Sequence, residues 1–208
     1  MCHFWSPDHS RLDRNSLEAL PVSSRSCSTT AIALRYREEP KIRLIKGPPG
    51  TGKTAVVDSL LSVITCLDYR TLVCARANRA ICEVAQSWTC LCSEFGPFRS
   101  LVIDEAPQLA EAETAIVTQL PGLQQAVLVG DEKQLQSTVL SMMARDIGDG
   151  RSLFERLQMV KHPHQLLRTQ YRMHPEISSF PNRELYGDCI EDDKSVNDDM
   201  NKKPYQNQ

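Results

Sequence analysis

Eight consecutive residues, Gly47-Pro48-Pro49-Gly50-Thr51-Gly52-Lys53-Thr54, have the types and spacing needed to hold a triphosphate. They fit the phosphate-binding loop pattern of glycine, any four residues, then Gly-Lys-Ser/Thr. The closely spaced anionic oxygens of such a ligand can be cradled by backbone N–H groups only where the chain curls tightly. Gly47, Gly50 and Gly52 permit that curl. Lys53 supplies a point charge for the outer phosphates, and Thr54 a hydroxyl for Mg²⁺. A helix starting here turns its free N–H groups toward the anion.

Further along, Leu101-Val102-Ile103 runs into Asp104 and Glu105. An apolar strand ending in two acids can deliver one carboxylate to the metal (Asp104) and another to take a proton from the attacking water (Glu105). A second strand ends in Gly130-Asp131-Glu132-Lys133-Gln134, and Gln134 is placed to sense the terminal phosphate and the lytic water. Asp131 also reads as a helix N-cap. In Gln170-Tyr171-Arg172-Met173-His174-Pro175, Arg172 suits a phosphate and Tyr171 offers a face for a base.

These groups need a scaffold that brings distant segments to one edge. Strands are expected at Ile42–Lys46, Thr71–Ala75, Leu101–Asp104, Ala126–Gly130 and, weakly patterned, Gln165–Leu167. Helices are expected at Lys53–Leu67, Arg79–Trp88, Glu111–Gln119, Glu132–Ala144 and Ser152–Gln158, with another starting near Pro175. Such alternation predicts an α/β fold, a mostly parallel sheet with helices on both faces. Ligands in open sheets of this kind sit at the carboxyl ends of the strands. The expected organisation is a loosely structured lead-in at 1–38, one domain at 39–187 and a disordered acidic tail at 188–208. The lead-in is Ser-rich, with one helix expected over 31–37.

The net charge of −2 neither points to nor excludes a nucleic-acid partner. Eight cysteines are scattered without a CxxC pair, and five histidines form no ligand cluster, so a zinc site is not expected. Met1 to Ser10 has no apolar segment of a signal peptide, and no apolar run is long enough to span a membrane. The expectation is an intracellular protein with reduced thiols, with the nucleus favoured over the cytoplasm.

The motifs, taken together and in order, resemble a superfamily 1 helicase of the group containing the nonsense-transcript regulator and the senataxin-like RNA helicases. The phrases are GPPGTGKT (47–54), LVCARAN (72–78), VIDEAPQL (102–109), LVGDEKQL (128–135), RSLFERL (151–157), QYRMHPEIS (170–178) and FPNRELY (180–186). The resemblance implies a RecA-like P-loop NTPase domain that binds ATP with Mg²⁺. By position, Gly47 to Thr54 would bind nucleotide, with Lys53 on the β and γ phosphates. Thr54 and Asp104 would hold the metal, and Glu105 would activate water. Gln134 and Arg172 would sense the γ-phosphate, and Tyr171 would stack near adenine. Ala75, Arg76 and Asn78 match the segment that contacts single-stranded RNA or DNA.

Several positions depart from the family pattern. Residues 21–40 hold no glutamine to read adenine, and Cys74-Ala75-Arg76-Ala77-Asn78 stands where relatives have CAPTN or CAPSN. Pro107 replaces an alanine, and Gln136 a proline. The accessory insertions of relatives between the 72–78 segment and Asp104 are not matched, nor are the motifs of a second motor domain with its arginine finger. Such a finger contributes about 10³–10⁵ in rate, so ATP binding is expected to outlast rapid turnover and unwinding. Three readings of what the chain does alone stay open: a motor domain, a nucleotide-binding fragment that does not unwind, and a shortened product that folds poorly.

Overall fold

The computed structural model describes residues 42–66, 69–75, 97–135, 137 and 150–197, with the backbone of 3–5. The element order is β1 (His3–Trp5), β2 (Ile42–Lys46), α1 (Lys53–Cys66), β3 (Thr71–Cys74), β4 (Ser100–Ile103), a 3₁₀ turn at Ala106–Gln108 and α2 (Glu111–Thr118). It continues with β5 (Gln125–Gly130), α3 (Leu153–Met159), β6 (His164–Leu166), β7 (Thr169–Gln170), α4 (Pro175–Tyr186), β8 (Glu191–Asp192) and α5 (Lys194–Asn197).

Six strands form one sheet in the order β1-β3-β4-β5-β2-β6. All its pairings are parallel except β1 against β3. Side chains alternate between faces along each strand, and the core divides accordingly. Leu44, Leu101, Ile103, Ala126 and Leu128 face Leu109, Val117, Leu153 and Phe154. Their neighbours in sequence, Ile45, Val102, Val127 and Val129, face Val56, Val57, Leu60 and Ile64 of α1. Helix α1 therefore covers one face and α2 with α3 the other, as the alternation of strands and helices predicts. Both faces are dry, which explains why β4 and β5 read as unbroken apolar runs.

Helix α3 starts where Ser152 accepts a hydrogen bond from the Glu155 N–H (3.1 Å), an N-cap that shifts the expected start by one residue. Arg156 of α3 pairs with Glu111 of α2 (2.7 Å). Three expectations need correction. The helix expected from Glu132 does not begin there: 132–134 form a turn. Asp131 does accept from the Lys133 N–H (3.1 Å), so the capping interaction closes a local turn and not a helix. The acidic tail expected from residue 188 instead begins with structure, since β8 pairs with β7 and α5 follows. The lead-in contributes β1 to the sheet edge. The helices expected at 31–37 and Arg79–Trp88 lie outside the described residues.

Candidate nucleotide-binding site

Three adjacent parallel strands bring the candidate residues to one edge. Strands β2 and β5 pair with Lys46 opposite Gly130, and β4 and β5 with Ile103 opposite Leu128. The residues that follow, Gly47, Asp104 and Asp131, therefore leave the sheet side by side. The Gly47 N–H donates to the Gly130 carbonyl (2.9 Å), and the Asp104 N–H to the Cys74 carbonyl (2.8 Å). These bonds extend the sheet one step into the loops.

The loop at 47–54 is held in its curl from within. Gly50 and Gly52 have φ of 78° and 77°, a left-handed backbone that favours glycine. The Thr51 hydroxyl donates to the Pro48 carbonyl (2.7 Å). At Gly47 a Cβ would lie 2.3 Å from Lys53 Cγ, so only glycine lets the lysine stem fold back over the loop. Lys53 Nζ then donates to the Gly47 carbonyl (3.0 Å) and to Gln134 Oε1 (3.2 Å), with Glu105 Oε1 at 3.9 Å. Three residues singled out from separate stretches of sequence thus meet around one ammonium group. Thr54 is exposed beside Lys53 in the first turn of α1.

The two acids after β4 differ in surroundings. Burial pushes the Asp104 carboxyl above the ordinary carboxylate range, opposed by the Glu105 N–H that donates to Oδ1 (3.0 Å). The Glu105 charge adds to the rise and the Lys53 charge reduces it. Glu105 sits at φ 53°, a left-handed conformation that costs a non-glycine residue about 1–2 kcal/mol. Its carboxylate accepts from Gln108 Nε2 (3.3 Å). Pro107 is the second residue of the 3₁₀ turn and packs on Gly130, where a Cβ would lie 2.1 Å from its Cδ. The departure at Pro107 therefore joins the turn carrying Glu105 to the end of β5.

The segment at 170–172 lies against the loop. The Tyr171 N–H donates to the Gly50 carbonyl (2.9 Å), and a Cβ on Gly50 would come within 2.9 Å of Arg172 Cβ. Tyr171 is half-buried and Arg172 exposed. Ala75 leaves the same sheet edge after β3. Arg76 and Asn78 lie outside the described residues.

Sequence reasoning missed three side chains. Asp131 is not merely a cap: its Oδ2 accepts from Gln134 Nε2 (2.8 Å) and from the Tyr186 hydroxyl (2.6 Å). Burial first, and then the Asp131 carboxylate, push the Tyr186 hydroxyl well above its ordinary range. Gln170 is fully buried; its Oε1 accepts from the Arg172 and Met173 N–H groups, and its Nε2 donates to Asp192 (2.5 Å). Gln170 and Tyr186 stand inside quoted motif phrases, and Asp131 directly follows an apolar strand. Position was the available signal for all three.

The donor set fits Mg²⁺, a hard cation that prefers oxygen. Thr54 offers a hydroxyl and Asp104 a carboxylate. Among the described residues no group of three or more His, Cys, Asp or Glu side chains could hold a metal ion.

Such a glycine loop between strand and helix, with acids at the neighbouring strand ends, defines a P-loop NTPase. Two family models, each described as an AAA domain, match residues 24–142 in overlapping segments (24–90 and 85–142) and residues 150–208. The chain belongs to this AAA-domain family, within the superfamily 1 helicases related to the nonsense-transcript regulator and to senataxin. It is 46% identical over 99 residues to "Probable helicase MAGATAMA 3" of Arabidopsis thaliana, covering 48% of this chain and 12% of that protein. It is 40% identical over 118 residues to "Regulator of nonsense transcripts 1 homolog" of Neurospora crassa, covering 53% of this chain and 11% of that protein. The chain thus spans about an eighth or less of these relatives. The fold is similar to that of the Bacteroides sp Pif1 structure in complex with ADP-AlF4, with a TM-score of 0.51 and 20% identity, covering 75% of this chain and 45% of that one. Among the described residues, no helix is long and apolar enough to cross a membrane.

Proposed function

We propose that the chain is an ATP-binding and ATP-hydrolysing motor domain of a superfamily 1 helicase acting on single-stranded RNA or DNA inside the cell, in the nucleus or cytoplasm. The observation that carries this reading is the meeting of Lys53, Glu105 and Gln134 beside the Gly47 carbonyl. An ammonium held by a carbonyl and a carboxamide, with a carboxylate nearby, has a fixed position, which reduces the ordering cost of binding.

In this reading Gly47 to Thr54 bind the phosphates through backbone N–H groups, and Lys53 exchanges its internal partners for phosphate oxygens. Thr54 and Asp104 hold Mg²⁺, which neutralises developing charge on the phosphates. Glu105 orients the water and accepts its proton. Gln134 reads the γ-phosphate from the β5 side and Arg172 from the side of the 170–172 segment. Tyr171 stacks near the adenine. Ala75, Arg76 and Asn78 contact the nucleic-acid backbone.

The test is ATP turnover with and without single-stranded RNA or DNA, in the wild type and in Lys53→Ala. Turnover that is stimulated by the strand and lost in the variant is expected. Turnover unchanged by Lys53→Ala would remove the loop from the mechanism. Tight binding of a fluorescent ATP analogue without strand separation would reduce the reading to a nucleotide-binding module.

A further inference from the structure

Tyr186 is the last residue of α4, yet its hydroxyl reaches under the site to Asp131 Oδ2 at 2.6 Å. Tyr186 is 9% exposed and Asp131 1%. The same carboxylate oxygen accepts from Gln134 Nε2, and the other accepts from the Lys133 N–H. Gln134 Nε2 also donates to the Gly47 carbonyl (3.2 Å), while its Oε1 accepts from Lys53. Only one orientation of this carboxamide is chemically consistent. Its two acceptor neighbours, the carboxylate and the carbonyl, require the NH₂ group, and its donor neighbour, the ammonium, requires the oxygen.

We propose that Tyr186 is a positioning residue that acts through Asp131 to fix the Gln134 carboxamide and thereby sets the preference of the site for a nucleoside triphosphate over a diphosphate. This rests on the nucleotide-site reading above. Without the phenolic donor, a nearly fully buried carboxylate oxygen loses a charge-assisted hydrogen bond. Asp131 then has reason to turn toward any other donor, and Gln134 follows it. The position of Tyr186 gives the link a further consequence. Helix α4 begins at Pro175, three residues after Arg172, whose segment rests on Gly50. Helix α4 thus follows closely on the Arg172 segment at one end and reaches Gln134 through Tyr186 and Asp131 at the other.

The experiment measures affinities of Mg-ATPγS and Mg-ADP for the full 208-residue chain by calorimetry. Tyr186→Phe keeps the ring and removes only the hydroxyl. We expect its triphosphate affinity to fall roughly three- to tenfold, in keeping with one lost hydrogen bond to a charged group, with diphosphate affinity within about twofold. In a Gln134→Ala background the same change should add almost nothing, because coupled residues are not additive. Asp131→Asn, which presents an NH₂ group to Gln134, should produce the same loss of preference and serves if Tyr186→Phe does not fold. Equal losses for both nucleotides, an unchanged preference, or full additivity with Gln134→Ala would each overturn the proposal. Wild-type binding that depends on Lys53 while the preference ignores Tyr186 defeats this inference alone. A wild type that binds neither nucleotide defeats the site reading as well.

Discussion

Lys53 and Gln134 share an acceptor: both donate to the Gly47 carbonyl, at 3.0 and 3.2 Å, while Lys53 also donates to the Gln134 oxygen. The lysine of the phosphate loop thus donates directly to the residue proposed to sense the terminal phosphate. A phosphate that captures Lys53 must release Gln134, and the two events are linked by one hydrogen bond.

The first prediction concerns Lys53. Lys53→Ala removes the ammonium and leaves the Gln134 oxygen without its donor. Hydrogen bonds to charged groups contribute about 1.5–3 kcal/mol each. Mg-ATP affinity should therefore fall by at least ~10-fold, measured by calorimetry on variant protein shown by its thermal melt to be folded. Unaltered affinity would contradict the placement of Lys53 on the phosphates.

Gly50 and Gly187 separate two costs of a side chain. Both have positive φ, 78° and 58°. A Cβ on Gly50 would meet Arg172 Cβ at 2.9 Å, whereas one on Gly187 meets nothing within 4 Å. Gly187→Ala should cost only the left-handed strain, about 1 kcal/mol. Gly50→Ala should cost more and should also push the 170–172 segment off the loop, lowering Mg-ATP affinity. Denaturant unfolding of both variants, with ATP binding, checks the pair; equal effects on stability and binding would count against the contact.

Much of this was legible in the sequence because local rules and fold agree at the sheet. Apolar runs such as Leu101-Val102-Ile103 are buried on both faces, so they became strands with little dependence on context. The loop was legible because glycine placement and Lys53 have few other uses. What escaped depends on contacts distant in sequence. Glu191 and Asp192 look like solvated acids, but β8 receives its partner from β7, and Asp192 also accepts from Ser178 (2.8 Å). Ser178 and Gln170 stand 14 and 22 residues before Asp192, beyond the reach of local turn and helix rules. The expected helix start at Glu132 failed differently. Asp131 carries the right capping chemistry, but its second oxygen is taken by Gln134 and Tyr186, and the chain turns there.

Gln170 supplies the third prediction. It is 0% exposed and connects four backbone or side-chain groups through one carboxamide: the Arg172 and Met173 N–H groups, the Met173 carbonyl and the Asp192 carboxylate. Gln170→Leu keeps the volume roughly constant but leaves the Arg172 and Met173 N–H groups and Asp192 without those bonds. Each buried group left unpaired costs about 1–3 kcal/mol, so a total loss of at least ~2 kcal/mol is expected by denaturant unfolding. Hydrogen exchange at Arg172, Met173 and the β7–β8 pair should rise together. A loss below ~0.5 kcal/mol would show that the segment is held by other contacts.

The last prediction follows from Asp104, where the requirements of folding and of metal binding oppose one another. Burial raises its folded-state pKa above the ordinary value of 3.8. For an acid shifted upward, the folded state binds the proton more tightly than the unfolded one. The associated stability is present at pH below 3.8 and is lost as pH rises through the folded-state value. At neutral pH the ionised carboxylate therefore destabilises the free protein. Asp104→Asn removes that charge, and its side-chain oxygen can still accept from the Glu105 N–H. The variant should melt higher than wild type at pH 7, and the difference should shrink on acidification toward pH 3.8 and below. The same change should weaken ATP binding in Mg²⁺, because the substituted group is the proposed metal ligand, and the loss should be smaller when Mg²⁺ is omitted. Thermal melts across pH, paired with calorimetry with and without Mg²⁺, measure both effects. A variant that is less stable at pH 7, or one that binds Mg-ATP as wild type does, would show that burial of this carboxylate does not serve the metal.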